Sequence, residues 1–389
     1  MNARPGIEPM VSDWLHATAT AQGSDRVLAA ALVQVAQVQQ ERRVRTSWLS
    51  DMNSHAKPLL AAATAATVLA VAVVAIDPST SASARVDGLW PSEPGVAFTV
   101  ELSAEVPEAI YWRGAMFDEW SESARVWRPS AQTRTSAEAG TSILGVASEP
   151  FAADGLIEIP VTIVLADPSA GAVTPGIPAK VDQPIEIEST GTGGSLVRIS
   201  LSRPRESYTV TGVQLAVESE RTPHGVSPAK LAAAGRDYPL EILAQYAIPP
   251  EDGELGDESL AFIRDIREAA GDNPYRIATL IEQQFQSPGF SYDADMRNVD
   301  CAGRGFTECF MRLKRGYCMY YATGMIMLLR QQGIPARIVM GYLPGERVGT
   351  METVRVQNAH AWVEVYFPEW GWWTFDPTPI GRARMTPLR

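Results

Sequence analysis

The 389-residue chain is longer than one typical domain, 46% hydrophobic, and carries a formal charge of −12 at pH 7. That acidity speaks against nucleic acid as a partner, because phosphate binding needs a basic surface. Three cysteines are too few for a disulfide scaffold.

In chain order, the first feature is "DRVLAAALVQVAQVQQERR" (25–43), helical by composition but too polar at its ends to span a bilayer. It reads as a cytoplasmic or interfacial helix within an N-terminal segment, 1–56. The run "PLLAAATAATVLAVAVVAI" (58–76) then holds nineteen residues without a charge. Spanning a bilayer takes about 20 apolar residues, so 57–77 is expected to be one transmembrane helix. Arg42, Arg43, Arg45 and Lys57 precede it, and only Arg85 closely follows. Basic residues stay cytoplasmic, so everything after Asp77 is expected outside, in a single-pass protein of the cell membrane. A signal peptide cleaved after "SASA" (81–84) is the alternative, but 57 residues before the apolar run make too long a leader.

From 88 to 235 the texture is β. "GVAFTVELSAEV", "GLIEIPVTIVLAD" and "ESYTVTGVQLAV" alternate with Ser, Gly and Pro clusters, which predicts an all-β, sandwich-like domain. Trp112, Trp120 and Trp127 read as core. A linker with five acidic residues, "IPPEDGELGDES" (248–259), reads as a solvated loop.

The last region, 236–389, is helical and then β. Asp257 is expected to cap a helix with the stripe Leu260, Ile263, Ile266 and Ala270, stopped by Gly271. Asn273-Pro274 starts a second, with Ile277, Leu280, Ile281 and Phe285 on one face. A third opens at Cys318, with Ala322, Met325, Ile326 and Leu329 as its stripe. "ARIVMGY", "HAWVEVYF" and "WWTFD" are the closing strands.

Cys318 falls in the first turn of the third helix, where unpaired N–H groups and the helix dipole stabilise a thiolate. Gly316 is expected to let a substrate backbone approach. A thiolate nucleophile needs a base. Of four histidines, His16 and His55 precede the span and His224 lies in a Pro-Gly loop, which leaves His360. Alternation places His360, Trp362, Glu364 and Tyr366 on one face of its strand. The base needs an orienter, and Asp376 on the next strand is the candidate. If "PEWG" alone forms the loop, Asp376 faces Val363 on the wrong side. With a loop over 367–371, Tyr366 pairs with Trp372, and Asp376 lies diagonal to His360, about 7–8 Å away between backbones. The sequence permits either register.

"RGYCMYYATGMIMLLRQQGIPARIVMGYLPGE", "AHAWVEVYFPEWGWWTFDPTP" and the upstream "SYDAD" resemble the transglutaminase-like superfamily, a branch of the papain-like cysteine fold, over about 238–379. The resemblance implies an α+β core of helices packed on an antiparallel sheet. It makes Cys318 the nucleophile, His360 the base and then acid, and Asp376 the orienter, with no cofactor. "YWRGAMFDEW" resembles the region before the core in bacterial membrane-anchored members. Those members carry several N-terminal spans and another after the core. This chain shows one span and ends ten residues after Pro379, which reads as a truncated or divergent member.

The implied reaction is a thioester on Cys318, formed from a carboxamide or peptide and passed to an amine or water. The partner is a protein or peptide substrate, with the cell envelope as one source. Hydrolysis and cross-linking use the same three residues. The Cys318 N–H is one oxyanion donor; Gln357, Asn358 and Trp362 are candidates for a second. Tyr317, Tyr320, Trp362, Trp372 and Trp373 read as core or as groove walls. A zinc site from Cys301, Cys309, Cys318 and His360 lacks a C-x-x-C pair. The non-enzymatic alternative is an extracytoplasmic scaffold or interaction protein that keeps the fold. Outside the cytoplasm, Cys301 and Cys309 could pair and leave Cys318 free; two buried free thiols are the alternative.

Overall fold

The computed structural model describes residues 83–379, except 87, 91–92, 103–109, 131, 145–154, 169–170, 191–193, 204, 220–221 and 252. The expected segment 1–56, the expected span 57–77 and the tail 380–389 lie outside the described residues. No described helix is long and apolar enough to cross a membrane.

The helix Cys318–Arg330 organises the core. Its sequence is apolar nearly all round, and a helix of that kind must be buried on every side. All thirteen residues are buried, so the four-residue stripe read from spacing is too narrow. Around it pack Asp257–Ala270, Pro274–Phe285 and the short Phe306–Leu313. Asn273 caps the second of these, its side chain accepting from the Arg276 N–H at 3.1 Å. The first is capped differently from expectation. Gly256 occupies the cap position, and the Glu308 carboxylate accepts from the N–H groups of Gly256, Glu258 and Ser259 and from the Ser259 hydroxyl. Ile263, Ile266 and Ala270 are buried as expected, but at the N-terminal end the buried position is Ser259, held by Glu308, and Leu260 is 48% exposed.

The helices lie on a five-stranded antiparallel sheet. Its order is Gly371–Phe375, Ala359–Phe367, Ala336–Tyr342, Trp112–Phe117, Thr174–Pro175. Ala361, Val363, Val365 and Phe367 face the helices. The opposite face carries Trp362 and Tyr366, packed with Tyr238, Ile242, Tyr246 and Trp372. On that face Glu364 takes Arg113 at 2.5 Å and Arg337 at 2.8 Å, and Arg337 stacks 3.9 Å over the Trp372 ring.

A six-stranded and a three-stranded antiparallel sheet share a second apolar core, the sandwich-like arrangement that the alternating runs predict. Strands cross the expected boundary near 235 in both directions. Trp112–Phe117 pairs with Ala336–Tyr342, and the hairpin Glu346–Val348/Met351–Arg355 extends the six-stranded sheet beside Val96–Glu101. The acidic linker is not wholly solvated. Glu254 is 3% exposed, and burial, aided by the Glu122 charge, pushes its pKa up to about 7.

Candidate active site

The chain reaches Cys318 through a series of fixed turns. Cys309, on the helix Phe306–Leu313, is joined to Cys301 in a disulfide with Cα atoms 5.5 Å apart. Lys314 ends that helix in the left-handed conformation, φ 52°. Arg315–Gly316 then pairs in parallel with Ser291–Tyr292, and Tyr317 is the cap residue before Cys318. Packing requires a glycine at 316: a Cβ there would lie 2.6 Å from the Cβ of Tyr320. Cys318 is the one free cysteine of the three and is completely buried. The disulfide removes two of the four residues of the zinc alternative as thiolate ligands.

His360 arrives on the strand Ala359–Phe367, opposite Gly341 of the central strand. The hairpin after it has the register that brings Asp376 to the same face. Tyr366 pairs with Trp372 and Val363 with Phe375, with a tight turn closed by the Trp370 N–H on the Phe367 carbonyl at 3.1 Å. His360 Nε2 lies 2.9 Å from Asp376 Oδ2. Cys318 also interacts with the imidazole and helps to raise its pKa; with Nε2 committed to Asp376, Nδ1 is the nitrogen left to exchange a proton with the thiol. The three residues singled out in the sequence therefore form one connected cluster.

Burial disfavours the charged imidazole. The Asp376 charge and hydrogen bond outweigh it, with help from Cys318, and raise the His360 pKa to about 10. Burial likewise opposes the Asp376 anion, but His360, the Thr378 N–H and the Tyr111 hydroxyl hold its pKa below the usual carboxylate range. The Asp376 backbone is fixed as well. Its N–H donates to Glu282 at 2.7 Å, and its carbonyl accepts from the Gln286 amide at 2.6 Å.

Several neighbours escaped sequence reasoning. Tyr111 donates to Asp376 Oδ2 at 2.9 Å. Trp90 stacks on Tyr317, 5.1 Å between centroids, and donates from its indole to the Ala359 carbonyl at 3.1 Å. It thus touches the residue before the thiol and the residue before the imidazole. Tyr292 interacts electrostatically with Cys318; burial first, then the charges of Cys318 and Tyr321, raise its pKa and keep its hydroxyl protonated. Only the quoted "SYDAD" hinted at Tyr292. Of the candidate oxyanion donors, Asn358 donates from Nδ2 to the Pro344 carbonyl at 3.5 Å, the Gln357 N–H donates to the Glu93 carbonyl at 3.0 Å, and Trp362 is buried against Tyr111. Tyr317, Tyr320 and Trp372 are buried in the core, and Trp373 is partly buried.

Mixed helices and an antiparallel sheet, with a cysteine opening the central helix, define a papain-like, transglutaminase-like core. Residues 263–377 match the family model of the transglutaminase-like superfamily. The uncharacterized protein YebA of Bacillus subtilis is 39% identical over 114 residues, 28% of this chain and 16% of that protein. A protein-glutamine gamma-glutamyltransferase of Pseudomonas aeruginosa is 35% identical over 120 residues, 30% of this chain and 18% of that protein. These matches span under a fifth of either relative. The fold is similar to the crystal structure of the periplasmic domain of TgpA from Pseudomonas aeruginosa, at TM-score 0.52 and 21% identity, over 73% of this chain and 88% of that one.

Proposed function

We propose that the protein is a membrane-anchored cysteine acyltransferase or peptidase of transglutaminase type, acting outside the cytoplasm. The observation that carries the reading is the cluster itself: a thiol at a helix N-terminus, interacting with an imidazole that Asp376 Oδ2 holds at 2.9 Å. The Cys318 thiolate attacks a carboxamide carbonyl. His360, as imidazolium, gives its Nδ1 proton to the departing amine or ammonia and leaves a thioester. The same nitrogen then takes a proton from the incoming amine or water as it attacks, and the thiolate returns. Asp376 holds the tautomer and stabilises the imidazolium. The Cys318 N–H is one oxyanion donor.

The Pseudomonas relative, named a protein-glutamine gamma-glutamyltransferase, supports a glutamine carboxamide as acyl donor. The TgpA likeness to a periplasmic domain and the basic residues before the apolar run support placement outside the cytoplasm.

One observation favours a second reading, a non-catalytic scaffold: Cys318 is 0% exposed. Labelling by a thiol-directed electrophile at neutral pH separates the two. The enzyme reading expects rapid modification of Cys318, lost in Cys318→Ala. A thiol inert in the native protein and reactive only after unfolding supports the scaffold and overturns the enzyme.

A further inference from the structure

Tyr111 lies outside the region that matches the transglutaminase-like superfamily, immediately before the strand Trp112–Phe117. Its hydroxyl donates to Asp376 Oδ2 at 2.9 Å, and the same oxygen holds His360 Nε2 at 2.9 Å. One carboxylate oxygen therefore takes two donors, one from the candidate base and one from the β region 265 residues away in sequence. We propose that Tyr111 is a positioning residue for the acyl-transfer reaction, its hydroxyl keeping the Asp376 carboxylate ionised and turned toward His360. This rests on the reading of Cys318, His360 and Asp376 given above.

The surroundings of Asp376 leave this task to few groups. Thr378 donates its backbone N–H to the other oxygen, Oδ1, at 3.1 Å. From the helix Pro274–Phe285 comes Glu282, which accepts the Asp376 N–H at 2.7 Å. Gln286 is spent on the Asp376 carbonyl. Cys318 acts on His360 and on Tyr292, and Tyr321 acts on Tyr292. Among the described residues, His360 is the only cation paired with Asp376. Tyr111 is thus the neutral donor on the oxygen that orients the base. Its ring also packs edge-on to Trp362, 5.2 Å between centroids, and a phenylalanine keeps that packing while losing the donor.

The test is the rate of Cys318 alkylation by iodoacetamide as a function of pH, in the full chain and its Tyr111→Phe variant. A hydrogen bond to the charged form of an acid lowers its pKa. Removing it lets Asp376 protonate earlier on acidification, and the hold on His360 fails at higher pH. The acid limb of the profile should move up by about half a unit or more. Lost packing alone would lower the rate at every pH without moving the limb. Superimposable limbs overturn the proposal. In an Asp376→Asn background, adding Tyr111→Phe should produce no further shift or loss, because the two act through one contact. A second loss as large as the first would show that Tyr111 acts elsewhere and would also overturn it. A reactive wild-type thiol with an unmoved limb refutes Tyr111 alone; a wild-type thiol without native reactivity refutes the underlying reading and the proposal with it.

Discussion

His360 bears the charge on which the candidate site depends. Its pKa rises from 6.5 to about 10 on folding. A histidine so raised contributes stability that is fully present below pH 6.5 and is lost as pH rises through about 10. Asp376, with its pKa lowered, contributes stability above the ordinary carboxylate range that is lost as pH falls through its folded value. Urea denaturation should therefore show stability declining between pH 6.5 and 10, with the decline reduced in His360→Ala; an equal slope in both proteins would contradict the assigned shift. For catalysis, Cys318→Ala should abolish acyl transfer and keep the fold. His360→Ala should cost nearly as much, since residues acting as a unit are not additive. Asp376→Asn should lose up to about 10⁴-fold through the wrong tautomer. A wild-type rate in steady-state assays of any of the three removes that residue from the mechanism.

Between elements, the approach to the thiol depends on two contacts. Glu308 closes the N-terminus of the helix Asp257–Ala270 with four hydrogen bonds. Glu308→Ala leaves buried donors without a partner and should lower stability by about 1–3 kcal/mol, read from the urea midpoint. The Cys301–Cys309 bridge closes a short loop ahead of the nucleophile helix. Replacing both cysteines with serine should cost about 2–3 kcal/mol in the chain-entropy model. Thiol counting that finds three free cysteines in protein from an oxidising compartment would refute the bridge. The strand alternation around His360 was legible because a two-residue period shows in any window. The register that places Asp376 was not, since both loop lengths suited the residues and only sheet packing selected Tyr366–Trp372. Leu260 was misassigned for a similar reason: Glu308, about fifty residues on, holds Ser259 in the buried position instead, and a long-range polar contact leaves no periodic trace. Tyr111 and Trp90 were invisible as site neighbours because their partners lie more than 220 residues away.

At the scale of the molecule, the β region and the helical core hold each other. Beyond the shared strands, Trp127 donates to Thr323 on the nucleophile helix at 2.8 Å, and Glu122 accepts the Phe306 N–H at 2.7 Å. A fragment of residues 236–389 would expose the edge of Ala336–Tyr342 where Trp112–Phe117 pairs, and bare strand edges aggregate. It should be insoluble or oligomeric by size-exclusion chromatography; a monomeric, cooperatively folding fragment would contradict this dependence. If the proposed topology holds, residues after Asp77 resist protease in intact cells with a sealed outer face and become accessible once that face is opened. Labelling of the Cys318 region from the cytoplasmic side would reverse the orientation. The most direct test of the central claim is the intact mass of the full chain after mixing with a glutamine peptide, quenched in acid with and without a primary amine. The expected result is a peptide adduct on Cys318 that has lost ammonia, absent in Cys318→Ala and discharged by the amine or by water. No adduct and no peptide conversion, or conversion that survives Cys318→Ala, would contradict it.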